Sequence, residues 1–178
     1  RLNCAKCELV AHHGTVVADP ILLSFNRMEV ADATLLGAPL FTGRMLDEAW
    51  QSRCDELARA VDRLTLISSQ DALTLLRVSF SAPRVQHLMR CSPSADHPAL
   101  GQFDTLLRTA VCRIANTDFT DIQWLQASLP LKMGGLGIRR VASLALFVYL
   151  ASAASTLNIQ MSILMRATAP EDSILTAY

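Results

Sequence analysis

From Leu46 onward, the apolar residues of the chain recur at steps of three and four positions, with acids and arginines between them. This spacing places the apolar side chains on one face of an amphipathic helix. The positions that form this face are Leu46, Trp50, Cys54, Leu57, Val61 and Leu64. The pattern therefore predicts a first long helix that packs its apolar face into a core.

Capping residues and prolines divide the rest of the chain into further helices. Ser69 can cap the second helix, and Pro83 and Pro98 can each open a helix, because proline is tolerated in the first helical turn. The helix that begins at Pro98 has its predicted buried face at Leu100, Phe103, Leu107, Val111 and Ile114. Thr120 caps another helix, a glycine-rich turn follows, and the last long helix is predicted to begin near Ile138.

The first part of the chain has a different pattern, in which β-branched clusters at residues 14–20 and 29–40 are separated by turn residues. Such clusters predict short strands. The predicted turns lie at His13–Gly14, Asp19–Pro20 and Gly37–Pro39. The predicted fold class is therefore mostly α, with a small α/β region at residues 1–45 followed by an all-helical domain at residues 46–178.

Composition is that of a folded domain with a sizeable core, since 51% of the residues are apolar and 18% are charged. The 16 basic residues balance the 16 acids, so net charge favours no class of partner. The charge is nevertheless uneven. Six acids and three arginines lie between Asp47 and Asp71, whereas four basic residues and no acid lie from Lys132 to Arg166.

The five cysteines are an odd number, which favours free thiols in a reducing compartment over a disulfide framework. Three of them, Cys54, Cys91 and Cys112, fall in helical patterns, and we expect their thiols to be buried.

One spacing at the start of the chain resembles a metal site. Cys4, Cys7 and His12 have the spacing of the first three ligands of a zinc knuckle, but the fourth position is occupied by Val17. Because structural zinc requires four ligands, we predict no metal site here.

The apolar stretch at residues 141–154 is too short for a membrane span, which needs about 20 residues. We therefore predict a buried helix at this position and no membrane partner.

No nucleophile elbow, phosphate-binding loop, zinc-protease motif or dinucleotide motif is present in the sequence. The most distinctive stretch is LPLKMGGLGIRR, in which Gly134, Gly135 and Gly137 allow positive φ angles and close approach of the backbone. The predicted helix after them begins with Arg139 and Arg140, and a helix N-terminus with arginines can hold a phosphate. The residues alone favour a tight interhelical turn with solvated arginines, because a glycine turn between helices is common.

Three segments, in order, resemble the reverse transcriptases of non-LTR retrotransposons. LPLKMGGLGIRR resembles the P-x-x-x-GGLG motif found after the polymerase core of these enzymes. Upstream, LNCAKCEL is similar to the L-N-x-x-K-x-E segment that follows their Tyr/Phe-x-Asp-Asp motif, and ATLLGAPL is similar to the primer-grip hairpin. The resemblance implies that residues 1–45 are the end of a polymerase palm and residues 46–178 a helical thumb and connector.

The resemblance also implies roles for individual residues. Lys6 matches a lysine that lies near the triphosphate and assists the pyrophosphate leaving group, so it is the catalytic candidate. Leu36 and Gly37 match the primer-grip turn. Contacts to the primer–template backbone are implied for the downstream motif and its flanking cations, Lys132, Gly134, Gly135, Gly137, Arg139 and Arg140. Such contacts need positive charge and no base readout.

The three aspartates that hold the two metal ions in this family match no position of this sequence and are expected upstream of it. The resemblance therefore implies a fragment that is inactive alone, with no cofactor of its own and Mg²⁺ needed only by the intact polymerase. Its implied partners are an RNA/DNA primer–template duplex and the rest of the palm and fingers, in the nucleus or cytoplasm.

Two alternatives stay open at this point. One is a degenerate or domesticated helical protein-interaction domain without a nucleic-acid role, which the neutral net charge and the scarcity of aromatic residues favour. The other is an interfacial membrane protein that uses the apolar stretch at residues 141–154.

Overall fold

The structure, a computed structural model, describes residues 3–11 and 17–163 of the chain. It is mostly helical with a small strand region near the N-terminus, which confirms the predicted fold class. The helices are α1 (Pro20–Leu23), α2 (Arg44–Leu64), α3 (Ser69–Leu75), α4 (Ala82–Cys91), α5 (Pro98–Ala115), α6 (Asp121–Ala127) and α7 (Ala145–Ile163). The strands are β1 (Glu8–Val10), β2 (Asn26–Met28), β3 (Thr34–Leu35) and β4 (Ala38–Pro39).

Two pairs of short strands precede α2, one parallel (β1 with β2) and one antiparallel (β3 with β4). The strand predicted at residues 14–20 is wrong for its described part. Asp19 Oδ1 accepts the backbone N–H of Ile21 at 2.8 Å, and Pro20 opens α1 instead. Asp and Pro act here as a helix start because both suit a first helical turn. The turn predicted at His13–Gly14 lies outside the described residues.

The core is formed mainly by α2 and α5, which pack along each other. All predicted buried positions of both helices are buried, and the six of α2 are at most 4% exposed. Trp50 lies at the centre, with its ring edge-on to Phe103 at a centroid distance of 6.3 Å. Its indole Nε1–H donates to Ser94 Oγ at 3.0 Å, so the buried polar group is satisfied.

The start of α3 differs from the predicted one, and a π-helical turn follows this helix. Ser68 caps α3 in place of Ser69, because its Oγ accepts the backbone N–H of Asp71 at 3.2 Å. After α3 the chain makes a π-helical turn at Leu76–Phe80, a form often found at functional sites. This turn carries Arg77, whose carbonyl oxygen accepts a hydrogen bond from Ser81 Oγ at 2.9 Å.

The apolar stretch at residues 141–154 does not form the buried helix predicted for it. α7 packs one side against α4, and Ala145 is its one fully buried residue. Within the described ranges, α7 is the one helix long and apolar enough to cross a membrane. A single such helix also occurs in soluble proteins, so it is weak evidence of a span.

Candidate nucleic-acid interface

The glycine-rich stretch folds back on the end of α6. The N–H groups of residues 134–137 all donate to carbonyl groups of residues 127–131, at 2.9–3.2 Å. The turn thereby satisfies carbonyl groups that the end of a helix leaves open. These four amides are consequently engaged within the fold, and none of them is available to a phosphate.

Each of the three glycines has a conformational or steric reason within this turn. Gly134 and Gly137 have φ angles of +79° and +74°, which side chains rarely adopt. Gly135 is buried, and a Cβ atom on it would lie 2.1 Å from Leu129 O. A Cβ atom on Gly137 would lie 3.0 Å from Arg77 Cδ, so this glycine leaves room for the arginine stem. The motif therefore helps to position an arginine from a distant part of the sequence.

The two arginines after the glycines do not start a helix. The last helix begins at Ala145 and not near Ile138, so the predicted placement of Arg139 and Arg140 at a helix N-terminus is wrong. The positive φ of Gly137 is incompatible with a helix at this point. Arg139 is exposed and Arg140 is half-buried, in a segment without regular secondary structure. Their contact with nucleic acid stays a prediction.

Asp104, on the buried face of α5, anchors the segment that follows the arginines. Its Oδ1 accepts the N–H of Val141 at 2.7 Å, and its Oδ2 accepts that of Ala142 at 3.2 Å. Arg140 Nε lies 4.0 Å from Oδ2. This carboxylate acts as a cap supplied by another helix, and it occupies the amides where a phosphate would bind.

Burial raises the pKa of Asp104 above its ordinary value, although the two amides and Arg140 favour its charged form. Because the folded-state pKa is the higher one, the contribution of Asp104 to stability is full below the unfolded pKa of an aspartate. It is lost as the pH rises through the folded-state pKa.

A cleft runs along α4 beside the glycine turn, and we call it the α4 cleft. It consists of two adjoining depressions, of about 250 and 450 Å³, that share Pro83 and Gln86. Arg77 and Arg139 line the first, and Arg90 lines the second. No aspartate or glutamate is among the described residues that line it.

The arginines of the α4 cleft differ in their pairing from five other arginines of the described residues. Arg44, Arg53, Arg84, Arg108 and Arg113 each form an ion pair with a carboxylate at 3.1 Å or less. The three arginines that line the cleft have no such partner within the part of the chain that the structure describes. Their charge is therefore available to an anion from outside the fold.

The predicted primer-grip turn lies next to this cleft. Leu36 and Gly37 form the two-residue turn between β3 and β4, with φ angles of 51° and 79°. Positive φ at both positions suits a tight hairpin, but it is rare for a bulky residue such as leucine. His87 Nε2–H, on α4, donates to Leu36 O at 3.2 Å and so fixes the turn at the edge of the cleft. The Leu36 side chain is 87% exposed.

The remaining predicted residues are not brought into the cleft. Lys6 ends a short 3₁₀ turn and is exposed, and no ion pair or side-chain hydrogen bond among the described residues joins it to α4. Lys132 is exposed in the 3₁₀ turn that precedes Gly134. The described residues contain no group of His, Cys, Asp or Glu that could hold a metal ion. His12, the third residue of the zinc-knuckle spacing, lies outside them.

Sequence reasoning missed Asp104, Arg77 and Arg90. Asp104 had a signal, because an acid beside Phe103 on the buried face of an amphipathic helix needs a partner in the core. The two arginines had none, since their role depends on the path of the chain after α6.

No protein-family model matches the sequence, and no curated protein or solved structure is significantly similar to it.

Proposed function

We propose that this chain is part of an RNA-directed DNA polymerase of the retrotransposon type, and that it holds the backbone of a primer–template duplex in the α4 cleft. The observation that carries the proposal is the cleft itself, which is lined by Arg77, Arg90 and Arg139 and by no described acid. The predicted primer-grip turn at its edge and the glycine motif beneath it supply the geometric context. Phosphoryl transfer would belong to aspartates and Mg²⁺ elsewhere in the polymerase.

Arginine suits this role because its planar guanidinium binds phosphate oxygens in a bidentate manner and stays charged at all working pH values. Binding through such contacts is insensitive to sequence and depends strongly on salt. The stem of Arg77 passes beside Gly137, where a side chain would leave it no room. The glycine motif therefore supports phosphate binding through the position of Arg77 and not through its own amides.

The proposal is tested by titrating labelled RNA–DNA and DNA duplexes with the protein at about 50 and 200 mM salt. In the double variant Arg77→Gln with Arg139→Gln, we expect weaker binding by about the same factor for every sequence. The slope of log affinity against log salt should flatten by roughly 0.9 for each lost duplex-DNA phosphate contact.

The matched control is Arg59→Gln with Arg63→Gln, which removes the same charge from exposed positions of the acidic helix α2. It should leave the slope unchanged. Equal binding curves for the cleft variant and the parent protein would refute the proposal, and so would equal losses in both double variants. With Mg²⁺, nucleotides and primer–template, the chain alone should extend no primer.

A protein-interaction function is favoured by a different observation. α6 and the turn after it leave four large apolar side chains exposed, Ile122 (80%), Leu125 (54%), Leu131 (58%) and Met133 (59%). Exposed apolar patches of this kind are common at protein interfaces. Under this alternative, Ile122→Ser with Leu125→Ser would abolish a protein contact, and the cleft arginines would not affect duplex binding.

A further inference from the structure

Cys91, the last residue of α4, is exposed, whereas its helical pattern predicted a buried thiol. Its Sγ lies 3.6 Å from His87 Nδ1, one helical turn earlier. This distance is within hydrogen-bonding range for sulfur, so the two side chains form a thiol–imidazole pair on the surface of the protein.

The hydrogen bond to the hairpin turn fixes the proton on the imidazole. His87 Nε2 lies 3.2 Å from Leu36 O, and a carbonyl oxygen only accepts, so Nε2 must carry the hydrogen. In the neutral ring, Nδ1 is then the free base that faces the thiol of Cys91. Cysteines are activated by an arrangement of three groups: the nucleophile, a base within reach of it, and a third group that orients the base.

The surroundings of the pair select the reagent. His87, Arg90 and Cys91 line one depression of about 450 Å³, together with Gln86 of α4 and Ser152 of α7. Arg90 has no carboxylate partner among the described residues, and no described acid lines this depression. It would therefore attract a small reagent that carries carboxylates.

We infer that Cys91 is a nucleophilic thiol that His87 activates, and that it forms a mixed disulfide with small anionic disulfides. In the reaction, the Cys91 thiolate attacks one sulfur of the disulfide, a new S–S bond forms, and the original S–S bond breaks. The leaving thiolate takes the proton that Cys91 gave up, so one protein thiol and one disulfide yield one mixed disulfide and one small thiol. The inference does not depend on the proposed nucleic-acid function.

The other cysteines lack this arrangement within the described part of the chain. Cys54 is buried, and burial together with the nearby Asp55 raises the pKa of its thiol. Cys112 is half-buried on α5 and has no described histidine beside it. Cys112 is therefore a suitable internal reference for both reactivity and folding.

The test measures modification of each cysteine by mass spectrometry at pH 7, first with neutral iodoacetamide and then with oxidised glutathione. We expect Cys91 to react with iodoacetamide roughly three to ten times faster than a blocked free cysteine, which is only a few per cent thiolate at this pH. His87→Gln should lower the rate to that of the free cysteine, and Arg90→Gln should leave it unchanged. With oxidised glutathione, both variants should react several times more slowly than the parent protein.

A Cys91 that reacts no faster than the free cysteine would overturn the inference, and this comparison requires no variant. An unchanged rate in His87→Gln would overturn the role of the base, provided that the rate of Cys112 shows an intact fold. Equal effects of Arg90→Gln on both reagents would overturn the preference for anionic disulfides.

Discussion

Replacing Gly135 with alanine should destabilise the protein strongly, although the change adds a single methyl group. The new Cβ atom would lie 2.1 Å from Leu129 O and 2.6 Å from Gln126 O. Both obstacles are backbone atoms at the end of α6, so no side-chain rotation can relieve the clash. To restore an ordinary contact distance, the turn has to move away from the helix by about 1 Å. If it does not move, the added methyl group overpacks the site, and if it does move, the packing between turn and helix opens.

The expected loss follows from what this movement breaks. Overpacking costs about 1–3 kcal/mol, and the two hydrogen bonds from Leu136 and Gly137 to the end of α6 contribute about 0.5–1.5 kcal/mol each. Alanine recovers about 0.4–1 kcal/mol by restricting the unfolded chain. The net loss is therefore about 1–5.5 kcal/mol, or roughly 2–20 °C in Tm for a chain of this length.

Gly101→Ala is the matched control. Gly101 lies inside α5, and a Cβ atom on it would meet nothing within 4 Å. Because glycine is a poor helix former, this substitution should stabilise the protein by about 0.5–1 kcal/mol.

The two glycine variants should therefore shift urea unfolding, followed by circular dichroism and by tryptophan fluorescence, in opposite directions. A loss below about 1 kcal/mol in Gly135→Ala would refute the reasoning, because it would mean that the turn moves freely away from α6.

Substitutions at three further residues test the packing and the charges of the protein. Asp104→Ala leaves two amides without their acceptor and should lower the free energy of unfolding by about 2–4 kcal/mol. The milder Asp104→Asn should lower the stability in thermal melts more near pH 4 than near pH 7. The reason is that the raised pKa of Asp104 makes its ionisation unfavourable in the folded protein. Partial burial raises the pKa of Glu56, but hydrogen bonds from Arg53 and Arg84 outweigh it and hold the pKa below its ordinary value. Glu56→Gln should therefore cost about 1 kcal/mol at pH 7 and progressively less as the pH falls through the pKa of Glu56, measured by urea unfolding. Phe103→Ala should cost about 3–5 kcal/mol in the same measurement, since its ring is fully buried against Trp50; a loss under 1 kcal/mol would show that the core closes around the gap.

The helices of the domain core were predictable because their signals are local. The spacing of apolar residues in α2 and α5 already states which side faces the interior, and both faces are buried as predicted. Thr120 and Gln123 form a reciprocal capping box at the start of α6, a signal that four residues contain in full. The strand predicted at residues 14–20 is wrong for its described part, residues 17–20, because Asp19 and Pro20 suit a turn and a helix start equally well.

The candidate site depends on contacts that no local pattern contains. The segment before α7 is anchored by Asp104, which lies 37 positions before Val141, whose amide donates to it. Arg77 reaches the α4 cleft because Gly137, beside its stem, leaves room for it. Neither partner indicates the other in the sequence.

By itself, the sequence determined the helical class, the buried faces of α2 and α5, and the glycines that the turn after α6 requires. These features follow from backbone sterics and from the period of a helix, which act over a few residues. The tertiary structure alone decided which amides remain available, which arginines lack a carboxylate partner, and that Cys91 faces His87 at the edge of an open depression. These properties depend on which distant groups meet after folding, because a charge or a hydrogen bond is satisfied by whatever lies next to it in space.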